Sequence, residues 1–198
     1  MKGIILLNGE PYNNSIRKEK GDIVVCCDGA YRWAERKVEI DVTLGDFDSL
    51  DYVPENSIVY PAEKNYTDGE LALNYLTGKT DKILIYGGGG LREDHFLGNL
   101  SLLYLALNRN IDCRMITNTA EIYAFNKRIN DSGFKGQIIS VVPFSDAVHI
   151  YESKGLKYPL NELTLEKWST RGISNEISES SFSLDIRAGT AIIFKIRR

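Results

Sequence analysis

Two aspartates stand two positions apart in "TLGDFDSL", residues 43–50, directly after a short apolar run and beside a glycine. Two chemistries are open to such a pair. Aspartate hydrogen-bonds its own backbone and favours turns, and a pair of carboxylates also offers oxygen ligands to a hard cation. Further acids fall at matching places: Asp28 ends the run "DIVVCCD", and Asp68 follows "EKNYT". Taken singly, Asp28-Gly29 reads as a turn and Asp68 as a helix-start residue favoured by the dipole. Together they weigh differently. Carboxylates about 4 Å apart repel by roughly 4 kcal/mol at an effective dielectric of 20, so three or four at one edge are poorly explained unless a cation sits among them.

The donors are oxygen only, with no histidine or cysteine, which suits Mg²⁺ bound by carboxylates and substrate phosphates. A second constellation, "GGGGLREDHFLGNL" at 87–100, supplies the complement. It matches neither the dinucleotide fingerprint, which needs glycine where Arg92 stands, nor the phosphate loop with its Gly-Lys-Ser/Thr. A glycine turn remains, whose N–H groups can approach phosphate closely, followed by the Arg92 guanidinium and a helix start at Asp94-His95. Asn99 lies on the same helical face as His95. The bland alternatives are a plain loop, a solvated arginine and a structural histidine.

These residues need elements to position them. "GIILLN" (3–8), "DIVVCCD" (22–28), "VTL" (42–44), "KILIYG" (82–87) and "DCRMIT" (112–117) read as strands. Helical spacing appears over 30–36, 68–76 and 94–107, and Thr67 with Glu70 forms a capping box. Continuous apolar strands interleaved with helices predict an α/β fold, a mostly parallel Rossmann-like sheet with helices on both faces. Asp28, the Asp46/Asp48 pair and the glycine run all fall at carboxyl ends of strands, where open α/β sheets bind ligands. After about residue 127 the texture changes. "KRINDSGFKG" (127–136) reads as a linker, and "QIISVVPF", "AVHIYE", "SFSLDI" and "AIIFKI" read as strands of a small antiparallel β-sandwich, with a helical turn in "LNELTLEKW" (160–168). The expected domains are 1–127 and 134–198.

Composition bounds the rest. A chain of 198 residues, 43% apolar, holds a proper core. The net charge of −3 and pI near 5.5 argue against nucleic acid or anionic membrane as the main partner. Apolar runs are far shorter than the roughly 20 residues of a membrane span, and no signal core opens the chain. A cytoplasmic location is expected, with the three cysteines reduced.

"CDGA", "LGDFDSL", "EKNYTDGELAL", "GGLREDHFLGNL", "GLKYPL" and "RGISNE" occur in an order and spacing that resembles the thiamine pyrophosphokinases. The resemblance implies an ATP-binding α/β domain joined to a thiamine-binding β-sandwich, Mg²⁺ as cofactor, and a homodimer with composite active sites. It also implies transfer of a pyrophosphoryl group from ATP to the hydroxyl of thiamine, releasing AMP. Carried across, it makes Asp46, Asp48 and Asp68 the catalytic and metal-binding residues. Asp28, Gly87, Gly88, Gly89, Gly90, Arg92, Asp94, His95 and Asn99 would serve the nucleotide, and Tyr158, Ser174 and Asn175 the thiamine. Tyr158 or Trp168 would lie against the aromatic ring. One departure stands out: Asn65 occupies the place of the first aspartate in the family's Lys-Asp-x-Thr-Asp, and an amide brings no charge. Two rivals use the same acidic edge. One is a pyrophosphokinase or phosphohydrolase for another small substrate such as a pterin; the other is a nucleotide-sensing module without turnover.

Overall fold

The first of the apolar runs, "GIIL", is fully buried, as a strand covered on both faces must be. The structure, a computed structural model, describes residues 1–197; position 198, which closes the second expected domain, lies outside the described residues. The chain divides after Asn118 into two compact units.

In the first unit the strands are β1 (Gly3–Leu6), β2 (Ile23–Cys27), β3 (Val42–Gly45), β4 (Ser57–Val59), β5 (Lys82–Tyr86) and β6 (Asp112–Ile116). All are parallel, in the order β6-β5-β1-β2-β3-β4. Strand β4 is absent from the sequence expectation for a physical reason. It is three residues long, half exposed, and sits at the sheet edge, so it carries little apolar signal. The chain runs outward from β1 through β4 and returns to β5 on the other side of β1. This reversal places a crevice at the carboxyl ends of β1 and β5.

Alternation along the central strands splits the core between two faces. Ile4, Leu6, Val24 and Cys26 gather with Ala30 and Ala34, the latter from helix α1 (Tyr31–Ala34). Gly3 faces the other side, where helix α2 (Asp68–Leu76) comes so close that a Cβ on Gly3 would meet Leu76 Cδ1 at 2.6 Å. Helix α2 begins as its capping box requires, with Thr67 Oγ1 accepting the Glu70 N–H at 3.2 Å. Helix α3 (Glu93–Asn108) packs on α2 and β6. The expected mixed α/β class and parallel sheet are found.

The second unit is all strand: β7 (Ala120–Phe125), β8 (Ile129–Ser132), β9 (Ile138–Pro143), β10 (Ala147–Lys154), β11 (Leu163–Glu166), β12 (Asn175–Glu176), β13 (Ser181–Ala188) and β14 (Ala191–Ile196). Antiparallel pairing joins β12-β9-β14-β7 and, separately, β11-β10-β13-β8. Tyr123, Val141 and Ile193 from the first set share one apolar cluster with Val148, Leu165 and Leu184 from the second.

Two expectations are corrected here. The segment 160–168, read as a helical turn, carries β11, whose Leu165 is fully buried opposite Val148 of β10. Leu163-Thr164-Leu165 alternates with period two, which outweighs the helical propensity of the glutamates around it. The segment 127–136, read as a linker, carries β8. Its polar side chains hide the strand, yet Asp131 is bound by Tyr123 Oη at 2.7 Å and Lys195 Nζ at 2.8 Å.

Candidate active site

The crevice of the first unit has a volume near 590 Å³ and is lined at its acidic end by Asp28, Asp46, Asp48 and Asp68. Local structure explains each position. Asp28 opens a 3₁₀ turn directly after β2 and is buried, 6% exposed. Gly45, which ends β3, must lack a side chain because a Cβ there would lie 2.7 Å from Asp28 Cβ. Between the paired aspartates Phe47 adopts φ 59°, a left-handed conformation unusual for an aromatic residue. Its ring is buried in compensation, which anchors the loop while both carboxylates reach the crevice. Arg32 of α1 donates to the Ser49 carbonyl and ties down the loop's far end.

One carboxylate oxygen from each of Asp28, Asp46 and Asp48 lies within 4.8 Å of the others. Asp28 Oδ1 is buried and has no hydrogen-bond partner among the described residues. Burial raises the Asp28 pKa, Ser49 offsets this in part, and the charges of Asp46 and Asp48 raise it further. Asp46 is different: the Lys64 ammonium, 3.0 Å away, holds its carboxyl below the ordinary range. Burial would lower the Lys64 pKa, but Asp46 and Asp68 together raise it. Asp68, the first residue of α2, sits 3.3 Å from Lys64 through Oδ1, close enough to pair but outside hydrogen-bond geometry. Burial raises its pKa despite that pairing. A buried carboxylate that keeps one unsatisfied oxygen and converges with two more acids fits a hard divalent cation, for which three oxygen ligands from protein are ample. Cys27 also lines the crevice, but burial pushes its thiol well up, so it stays neutral.

At the other end, Gly88 and Gly90 line the crevice, whereas Gly87 and Gly89 are outside its lining. The loop after β1 is bonded to this turn: Leu7 N–H donates to Tyr86 O at 2.9 Å, Gly9 N–H to Gly87 O at 2.8 Å, and Glu10 N–H to Gly89 O at 2.7 Å. Asn99 donates through Nδ2 to Gly88 O at 2.9 Å, so its amide holds the turn. Arg92 and Asp94 form a two-bonded exposed pair at 3.1 and 2.6 Å, which lowers the Asp94 pKa to about 2. His95 is exposed in the first turn of α3 and lines the crevice as well.

Tyr158, Ser174 and Asn175 come together elsewhere, around a cleft of about 330 Å³ within the second unit. Asn175 is buried there. Its Oδ1 accepts the Tyr158 and Glu176 N–H groups at 3.1 and 2.8 Å, and its Nδ2 donates to Tyr158 O at 2.7 Å. The amide therefore shapes the "GLKYPL" segment. Trp168, 88% exposed, lies outside that lining.

The sequence reading passes over Asn8, Gly9, Ser49 and Lys64, although each belongs to this crevice or to its charge pairs. Asn8-Gly9 reads as turn chemistry, and only the strand order makes it a wall of the switch-point crevice. Lys64 had a readable sign in its i, i+4 spacing to Asp68. Asn65 is exposed and outside the crevice lining. Asn65→Asp should therefore leave the Mg²⁺ dependence of turnover unchanged within about twofold, since an exposed charge is screened. A Mg²⁺ titration shifted severalfold would put the position in the site.

Comparison with known proteins follows the same division. Residues 16–115 match the family model "Thiamin pyrophosphokinase, catalytic domain", and residues 126–190 match "Thiamin pyrophosphokinase, vitamin B1 binding domain". A thiamine pyrophosphokinase of Bacillus subtilis (strain 168) is 37% identical over 162 residues, 76% of each chain. Thiamin pyrophosphokinase 1 of Caenorhabditis elegans is 27% identical over 215 residues, covering 97% of this chain and 87% of its own. The crystal structure of thiamine pyrophosphokinase from Bacillus subtilis superposes with a TM-score of 0.87 at 30% identity over 99% of both chains. That of thiamin pyrophosphokinase from Geobacillus thermodenitrificans gives 0.83 at 22% identity, covering all of this chain and 98% of its own. At that identity the likeness concerns the fold alone.

Proposed function

Because this chain belongs to the thiamine pyrophosphokinase family, and so transfers the pyrophosphoryl group of ATP to the hydroxyl of thiamine, we propose that ATP and Mg²⁺ bind in the crevice of the first unit. The observation that carries this assignment is the convergence of the Asp28, Asp46 and Asp48 carboxylates, the first of them buried with one oxygen unsatisfied. These three would hold the ion, with Asp68 beside them. When bound, Mg²⁺ neutralises polyphosphate charge and polarises the phosphorus under attack.

The protein's own residues do the rest. Gly88 and Gly90 bring backbone close to the phosphates, and Asn99 keeps that turn in shape. The N-terminus of α3, with His95 and Gly98 on the wall, favours the same anion. Arg92 is a guanidinium at the rim whose Nε and Nη2 are held by Asp94, which leaves Nη1 for a phosphate oxygen. Catalysis then consists largely of alignment and charge compensation.

We assign thiamine to the cleft of the second unit, and read that unit as a β-sandwich because both its sheets feed one core. Ser174, left-handed at φ 57° and tied through its N–H to Ser140 Oγ at 3.0 Å, keeps its hydroxyl for substrate. The working enzyme is a homodimer whose active sites combine the first unit of one protomer with the second unit of its partner. Its place is the cytoplasm, which supplies ATP and keeps the buried thiols of Cys26, Cys27 and Cys113 reduced.

The test is an assay with ATP, Mg²⁺ and thiamine that separates AMP from ADP and free phosphate. AMP formed in step with thiamine diphosphate is expected; ADP or phosphate alone would favour a different transfer. In the same assay Ser174→Ala should raise KM for thiamine about two- to tenfold, with KM for ATP unchanged, for loss of one hydrogen bond of about 0.5–1.5 kcal/mol. Equal effects on both substrates would remove Ser174 from the thiamine side.

A further inference from the structure

The segment 7–13, which follows β1, walls the crevice at its start and leaves it at its end. Leu7, Asn8 and Gly9 belong to the lining; Pro11, Tyr12 and Asn13 do not. Its root is held by the backbone bonds to the glycine turn and by Trp33, whose indole N–H donates to Leu7 O at 3.2 Å. Its tip is held by two side chains from distant parts of the first unit. Lys37, shortly after α1, donates through Nζ to Tyr12 O at 2.7 Å and to Asn13 O at 3.1 Å. Asn118, shortly after β6, accepts the Asn13 N–H on Oδ1 at 2.9 Å and donates through Nδ2 to Pro11 O at 3.0 Å. Neither Lys37 nor Asn118 lines the crevice.

Backbone groups outside regular structure need partners, but Pro11 and Asn13 are exposed, and water would satisfy them as well. What the two side chains add is a fixed place. Between root and tip stands Asn8, whose amide lies against Gly29, the residue after Asp28, so closely that a Cβ on Gly29 would collide with it. A tip that shifted would carry Asn8 and Gly9 off the crevice wall. Group transfer tolerates little of this, since a misplacement of about 1 Å caused far from the reacting atoms can cost on the order of a hundredfold in rate.

We infer that Lys37 and Asn118 are positioning residues for the nucleotide: from behind the crevice they pin the tip of the segment 7–13, and so hold its Leu7–Gly9 wall where a bound nucleotide needs it. The inference rests on the reading of this crevice as the ATP site, and its test keeps the two apart.

The measurement is the dissociation constant of a non-hydrolysable ATP analogue with Mg²⁺ on the full-length protein, by calorimetry, with KM for ATP and for thiamine beside it. Lys37→Met and Asn118→Ala should each raise that constant and KM for ATP about three- to tenfold, with KM for thiamine within about twofold of wild type. Asn118 carries no charge, so its variant excludes a long-range electrostatic cause. Lys37→Arg, which keeps a charged donor, should return both nucleotide values to within about twofold. Lys18→Met is the control for a structural lysine: Lys18 pairs at 2.8 Å with Asp41, just before β3 at the amino-terminal edge of the sheet, and its loss should leave the nucleotide values within about twofold. Arg92→Ala tests the ATP site separately, because Arg92 belongs to the crevice and not to this segment. A raised KM for ATP in Arg92→Ala, with wild-type values in Lys37→Met and Asn118→Ala, overturns the inference and leaves the ATP site standing. Wild-type values in all three remove the ATP site, and the inference with it. An equal rise in KM for both substrates, or a rise of the same size in Lys18→Met, also overturns the inference, because it marks a general loss of structure. Lys37→Gln and Asn118→Ser take the place of either variant that circular dichroism shows unfolded.

Discussion

Asp46→Asn is expected to slow AMP formation from ATP and thiamine by on the order of a hundredfold to a thousandfold, and Asp48→Asn by a similar factor. Both changes keep the side-chain volume and remove one ligand charge from the three that converge within 4.8 Å. Neither residue supports the core. Asp46 and Asp48 lie in the loop after β3, and the buried anchor of that loop is Phe47 between them. Circular dichroism should change little, while Asp46→Asn should lower thermal stability modestly at neutral pH, because the Lys64 ammonium that favours the Asp46 carboxylate loses that charge and keeps only Asp68 as partner. Raising Mg²⁺ should restore part of the lost rate if the defect is in ion binding. Wild-type turnover in both variants would end the assignment of this loop to the metal.

A mixed dimer should recover activity that neither parent has. If each active site combines the first unit of one protomer with the second unit of its partner, an Asp46→Asn chain and a Ser174→Trp chain assemble into a heterodimer with both lesions in one site and the other site intact. Random mixing of equal amounts gives about half heterodimers, so the recovered activity should be about one quarter of wild type. The bulky tryptophan is chosen because Ser174 borders the cleft, where loss of a hydroxyl alone is too mild for a clean background. Co-refolding the two variants and sedimenting the product provides the measurement. A monomer at micromolar concentration, or confirmed heterodimers without activity, would show that each chain works alone or that these residues are misassigned.

What could be read in the sequence was mostly local. Helix α2 was legible end to end because Thr67, Asp68 and Glu70 are neighbours and their capping chemistry needs no distant partner. The central strands were legible because burial on both faces leaves an unbroken apolar run. Strands β4, β8 and β11 were lost where those signals fail: short length, a polar exposed face, or a two-residue alternation too brief to stand out among glutamates. Within the crevice, Asp28, Asp46, Asp48, Asp68 and Arg92 announced themselves by type and by place after a strand or before a helix. Their division into a group of three and a lysine-paired fourth depends on distances between β2, β3 and α2, which no spacing along the chain reveals. Asn175 has a second, structural task in the cleft. Its buried amide holds the backbone of Tyr158, a task that a loop asparagine does not advertise.

The backbone bonds from the loop after β1 to the glycine turn bear on time as well as place. Each contributes about 0.5–1.5 kcal/mol, and parting the two loops breaks those at Leu7, Gly9 and Glu10 together. The crevice floor thus opens only in rare sub-global fluctuations. If the proposed ATP site is right, the nucleotide meets a turn already ordered by folding, so ordering its glycines subtracts little from nucleotide affinity. On that reading, entry into the crevice is expected to need only the motions of its exposed rim side chains and no millisecond hinge at the glycine turn.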